Sequence, residues 1–302
     1  MSKSNTLYSD SHLNTVYIDL GTGILANIFL LLHISLCITG HRPKPTDLPI
    51  GLLALIHLLM LVINGFIAAD IFTPQGGRWG DLTCKVLIYL YRLTRGFSIC
   101  TTCLLSVLQA ITLSPRSSCL AKFKHRSSCH NLCSLNFLSV IYSSFTSHPL
   151  ISIIATPNLT SDNFKYITES FSLLPMNFFL RHTFATLLTF REASLMGIMT
   201  ISSGYMVALL CRHRRLSQHL HRTSLTEATQ TILLLLSCFV TMSIMDSIIN
   251  YARITLNDDP IFYCIQILVA HSYASFSPLV FIATEKRILN ILRCIQWNII
   301  NS

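Results

Sequence analysis

Residues 49–69 read PIGLLALIHLLMLVINGFIAA, 21 positions without one Lys, Arg, Asp or Glu. As a helix rising 1.5 Å per residue, such a run covers the roughly 30 Å hydrocarbon core of a bilayer. The competing reading, a helix buried in a soluble protein, suits shorter or more polar segments. Composition agrees with a membrane: 12% of the 302 residues are charged, against about 25% in an ordinary soluble domain.

Seven segments of spanning character can be drawn, at about 16–38, 49–70, 82–112, 132–155, 185–211, 228–255 and 261–284. The third and fifth carry charges, which lowers their hydropathy without removing their length. The expectation is an all-α membrane protein, a single domain over 1–302 built as a seven-transmembrane helix bundle. Residues 1–15 are polar and show no cleavable signal peptide, so the first apolar segment is expected to direct insertion. Eleven cysteines are scattered along the chain and do not form a compact disulfide framework.

An odd number of crossings separates the termini, and the basic residues assign the sides. Arg42 and Lys44 lie in loop 39–48, and Arg116, Lys122, Lys124 and Arg126 in loop 113–131. Arg212, Arg214, Arg215 and Arg222 lie in loop 212–227, and Lys286, Arg287 and Arg293 in the tail 285–302. These are 13 of the 22 lysines and arginines, whereas the other face holds Lys3, Arg78, Lys165 and Arg181. The positive-inside rule then puts these loops and the tail in the cytoplasm and the N-terminus outside. The formal charge of +9 is thereby explained by lipid orientation, and nucleic-acid binding is not expected.

Local signals support these boundaries. Thr46 or Asp47 can cap the second helix, with Pro49 in its first turn, where a missing N–H costs nothing. Asn158-Leu159-Thr160 is a glycosylation sequon in the outer loop 156–184, which makes Asn158 the expected acceptor. After the last span, Ile288, Leu292 and Ile295 share one helical face, with Lys286, Arg287 and Arg293 around the other. That pattern suits a short interfacial helix, with Cys294 a weak palmitoylation site.

A charge at the centre of a spanning helix costs about 2.5–3.5 kcal/mol even on the lenient insertion scale, so charges found there should face the bundle interior. Arg92 and Arg95 are three residues apart on the third span, hence on one face. Glu192 lies near the outer end of the fifth span, and Asp246, Asn250 and Arg253 in the outer half of the sixth. With Tyr89, Tyr91 and Tyr251 they could line an outward-facing pocket for a small molecule with an apolar body and a few polar groups. The alternative is a structural ion pair, such as Arg95 with Asp246, that fastens helices and meets no ligand. The two readings weigh about evenly.

No chemistry of bond-making is visible. Cys100-Thr101-Thr102-Cys103 has C-x-x-C spacing but sits in mid-helix without a second ligand pair. His213, His219 and His221 lie in a basic loop that repels a cation. There is no H-E-x-x-H, G-x-S-x-G or P-loop, so neither an enzyme, a metal nor a cofactor is expected.

The stretches HRPKPTDLPIGLLALIHLLML at 41–61 and TTCLLSVLQAITLSPRSSCLAKFKHRSS at 101–128 closely resemble the vomeronasal type 1 receptors. The likeness continues through ATPNLTSDNFKYITES, MNFFLRHTFATLLTFREASLMGIM and AHSYASFSPLVFIATEKRI, nearly the whole chain. The resemblance implies a rhodopsin-like G-protein-coupled architecture, a pheromone-like small ligand outside, and a heterotrimeric G protein of the inhibitory class inside. It also implies that Gln109, Arg116, Lys122, Lys124, Arg212, Arg214 and Arg215 face that G protein.

Two departures from most rhodopsin-like receptors are shared with the vomeronasal kind. Where an acid-Arg-aromatic triplet ends the third helix elsewhere, this chain has Leu108-Gln109-Ala110. Without an ionic lock, rest and activity must be balanced by other contacts. The seventh helix carries Ser275-Phe276-Ser277-Pro278-Leu279, in which Pro278 frees a carbonyl one turn back. A third departure is this chain's own. The family resemblance makes Cys84 half of a disulfide to the second outer loop, but that segment reads Thr168-Glu169-Ser170-Phe171-Ser172. No cysteine lies between Cys133 and Cys211, which leaves the partner of Cys84 unknown, with Cys264 a remote alternative.

Two other classes compete with this one. A bitter-taste receptor shares seven spans and also lacks the ionic triplet, but fits the two long motifs less well. A transporter or channel predicts inverted repeats, interrupted helices or a continuous polar path, and the two halves of this chain show no repeat.

Overall fold

The computed structural model describes residues 2–40, 47–72, 81–115, 154–155, 165–166, 172–173, 178–216, 234, 237–245, 248 and 260–284, and the side chains of a subset of these. Five long helices and a small sheet are described in full. They are α1 (Ser2–Gly40), α2 (Asp47–Phe72), α3 (Asp81–Leu113), α4 (Phe178–Leu216) and α5 (Pro260–Thr284). Residues 237–245 are also helical, within the expected sixth span. The expected fourth span lies outside the described residues up to its last two positions.

α1 is 39 residues long, so the polar segment expected as an N-terminal tail is a continuation of the first helix. No Gly or Pro occurs before Gly21 to interrupt it, and its apolar part, Asn14–Leu36, is the portion of spanning character. α2 opens at Asp47 as expected, an acid in the first turn with Pro49 buried just behind it. Asp47–Ala69 and Lys85–Leu113 are likewise long and apolar enough to cross a bilayer. α4 runs beyond the expected 185–211 at both ends.

α1 packs on α2 and α5, α2 on α3 and α5, and α3 on α4. One core cluster joins Leu30, Ile34, Ala54, Ile99, Met199, Met206, Tyr273 and Phe281 across these helices, and a second gathers Val16, Leu20, Met60, Leu61 and Ala274. The opposite face of α1 is just as apolar: Ile18, Leu25, Leu32 and Leu36 are exposed, with spacings of seven and four that keep them on one stripe. In water such a stripe would drive aggregation, whereas against lipid tails it costs nothing.

Close packing of α1 on α5 depends on Gly23. A Cβ there would lie 2.5 Å from Ser275 Oγ and 3.0 Å from Leu61 Cδ1, so the glycine permits the approach. One turn on, Asn27 Nδ2 donates to the carbonyls of Gly23, at 2.8 Å, and Ala274, at 3.0 Å. Ala274 is four residues before Pro278, which has no N–H to offer it. Asn27 thus takes up the carbonyl that the proline frees.

Ile154–Ala155 and Ser172–Leu173 form antiparallel strands with Lys165–Tyr166, in the order β1-β3-β2 where β1 is 154–155, β2 is 165–166 and β3 is 172–173. Two residues expected to end the fourth span are therefore strand, and β1 rests against α3. The β-branched Ile154 pairs with Leu173, which satisfies backbone groups that a loop would leave to solvent.

Candidate functional site: an Arg95 cavity above a buried histidine

On α3 the positions 95, 98, 99 and 102 follow the three-four spacing of one helical face. That face carries Arg95, Ser98, Ile99 and Thr102. The first three line a small cavity of about 30 Å³ that opens at one side. Met60 of α2 closes it on one side, Phe239, Met242 and Ser243 on another, and Val269 and Tyr273 of α5 on a third. Walls from several helices, mostly apolar with a few polar groups, are the usual setting for a small ligand in a helical bundle. Among the described residues, Arg95 is the one charged member of the lining.

Arg95 does not stand alone electrostatically. Its Nε lies 3.7 Å from Glu192 Oε1, and Arg191 Nη2 lies 3.6 Å from the same oxygen. Both separations are ion-pair distances too long for a hydrogen bond. Among the described residues, one carboxylate therefore serves two guanidinium groups. With Arg191 buried and Glu192 only 19% exposed, water screens the cluster weakly.

Beneath the cavity lies His57 of α2, 1% exposed. Its Nε2 is 2.8 Å from Ser98 Oγ on α3, and its Nδ1 is 3.1 Å from Ser277 Oγ on α5. A serine hydroxyl donates or accepts, so both ring nitrogens are satisfied in either tautomer. The ring also meets Tyr273 edge-on, with centroids 5.3 Å apart and planes at 87°. Tyr273 in turn packs against Phe239 at 4.4 Å and 70°. Ser98 and Tyr273, which touch His57 from two helices, are also walls of the cavity.

At the other end of α3, Ser114 Oγ and Tyr205 Oη of α4 are 2.7 Å apart, joining the two elements through their hydroxyls. Gln109 lies just above, 3% exposed. The resemblance makes it a candidate contact of the G protein, and here its side chain is covered. α3 continues a full turn past it, and the side chain points inward with Ser106, three residues back on the same face. Neither amide atom of Gln109 has a hydrogen-bond partner among the described residues.

The other expected site residues divide as follows. Tyr91 and Arg92 are half-buried on α3 but do not line the cavity, and Glu192 reaches it only through Arg95. Arg212 is exposed, and Arg214 and Arg215 extend α4 with side chains outside the described set. Asp246, Asn250, Arg116, Lys122, Lys124 and Asn158 lie outside the described residues, as does the side chain of Cys84. His57 and Asn27 were missed. The available signal was their chemistry, because a polar side chain in the middle of an uncharged spanning run is expected to face the bundle interior.

Comparison with known proteins follows the same outline from end to end. The model of the vomeronasal organ pheromone receptor family matches residues 11–294. Vomeronasal type-1 receptor 45 of Mus musculus is 54% identical over 97% of this chain and 95% of its own. Vomeronasal type-1 receptor 94 of Rattus norvegicus is 53% identical over 100% of this chain and 95% of its own. Vomeronasal type-1 receptor 48 of Mus musculus is 54% identical over 97% of this chain and 100% of its own.

Proposed function

Because this chain belongs to the vomeronasal organ pheromone receptor family, we propose that it binds a small pheromone-like molecule in the Arg95 cavity and signals to a heterotrimeric G protein. The observation that carries the reading is a single charged side chain, Arg95, in a cavity whose other described walls are apolar or uncharged and polar. The lining suits a ligand with an apolar body and one anionic or strongly accepting group.

In this reading, residues 1–302 form one seven-helix receptor domain of rhodopsin-like architecture in the plasma membrane. The amino end faces outward and the tail 285–302 lies in the cytoplasm. Asn158 carries glycan on the outer side. Asp246 and Asn250 of the sixth span, with Tyr91 and Arg92 of α3, are further candidates for ligand contact. A ligand that favours the open arrangement of the inner helix ends shifts the population toward it. Reversing a 1:99 equilibrium takes about 5.5 kcal/mol of differential affinity, which several polar contacts in a dry cavity can supply. The basic inner segments, with Arg116, Lys122, Lys124, Arg212, Arg214 and Arg215, then meet a G protein of the inhibitory class. At rest they attract anionic lipid, at about 1 kcal/mol per charge.

The test is a headgroup series on one chain, decanoate, decanol and decylamine, applied to cells expressing the receptor with G-protein activation as readout. The expected order places decanoate first. Arg95→Ala should weaken the decanoate response by about ten- to a hundred-fold, the value of one hydrogen bond to a charged group, at unchanged surface amount. An unaltered response would remove Arg95 from the site.

A further inference from the structure

His57 is in contact with the cavity without lining it. It grips two of the cavity's walls, Ser98 by a 2.8 Å hydrogen bond and Tyr273 by an edge-on ring contact. On its far side it holds Ser277 at 3.1 Å. Ser277 directly precedes Pro278, within the stretch of α5 where one rung of the helical hydrogen-bond ladder is missing. A stretch lacking a rung is the part of a helix that bends at least cost. One imidazole therefore ties both the floor of the cavity and the weakest part of α5 to α2.

We infer that His57 is a positioning residue that couples occupation of the cavity to the arrangement of α5 around Pro278. The inference rests on reading the cavity as the ligand site. A ligand pressing on Tyr273 or Ser98 displaces the imidazole, which is too well packed to absorb the movement, with 1% of its surface exposed. Displacing the ring lengthens or breaks the bond to Ser277. The coupling therefore acts through the bonded and the broken state of the His57–Ser277 contact.

A tryptophan built into the cavity wall serves as the probe and dispenses with a ligand. Met242→Trp fills space at a residue that lies on neither α2, α3 nor α5. Hydrogen–deuterium exchange of the full-length receptor in nanodiscs should show a shift of about threefold at residues 275–283, in the range that packed networks carry. Residues 182–190 of α4 serve as the control for global loosening. In a His57→Leu background the shift at 275–283 should fall away while α4 stays unchanged. His57→Gln, whose amide also donates and accepts, should restore part of it. If His57→Leu does not fold, Ser98→Ala and Ser277→Ala each remove one of the two bonds and should each reduce the shift. An equal shift with and without the imidazole, or none in the parent, overturns the inference. Failure of the decanoate series alone would instead displace the ligand site and leave this coupling standing.

Discussion

Gln109 shows what a single residue can cost. A buried amide with both its nitrogen and its oxygen unpartnered among the described residues gives up its bonds to water and receives none in return, a penalty of about 1–3 kcal/mol. Gln109→Leu keeps similar volume and removes both orphan atoms, so it should raise the thermal stability of the detergent-solubilised receptor. A lower melting temperature would show that the amide has a partner of its own. Such strain is retained in proteins where a second state uses it, and the same substitution should depress G-protein activation. Sequence reading found Arg95 and Glu192 because ionised groups are rare inside spans. It did not find which carboxylate meets which guanidinium, since that depends on helix rotation, and Arg95 meets Glu192. His57, Asn27 and Gln109 were harder still, because uncharged polar groups occur on every face of a helix and only the packing selects those that pair.

Among the elements, α5 and α1 are joined by a bond that neither sequence motif announces alone. Pro278 leaves the Ala274 carbonyl without its helical donor, and Asn27 replaces that donor from another helix at 3.0 Å. The two residues should therefore be energetically coupled. Asn27→Ala should destabilise the receptor by about 1–3 kcal/mol, the cost of orphaning a buried carbonyl. In a Pro278→Ala background the helix regains its own N–H, and the same change should cost much less. A thermal-melting double-mutant cycle reads the difference, and simple additivity would refute the coupling. The long helices were legible from hydropathy and length, and α2 and α5 begin within a residue or two of the expected positions. The start of α1 was not, since a polar segment without Gly or Pro carries no stop signal and no apolar period either. The strands at 154–155, 165–166 and 172–173 were illegible because two residues are too short to show alternation.

For the whole molecule, the strongest consequence of the sequence is topological. Tags at the two termini of the full chain should stain differently, the amino end on intact cells and the carboxyl end only after permeabilisation. Simultaneous staining would mean an even number of crossings and would dismantle the receptor reading. Charge bias gives the orientation that this staining tests, and an apolar stripe on α1 that faces away from the core agrees with a lipid environment. What no span-counting could supply is which side chains join the helices. Ser114, just past the end of α3, meets Tyr205 of α4 through two hydroxyls 2.7 Å apart. Mobile ions weaken attraction between opposite charges, but they leave a contact between two uncharged dipoles almost untouched. The junction of α3 with α4 at this point is accordingly expected to hold alike in dilute and in concentrated electrolyte.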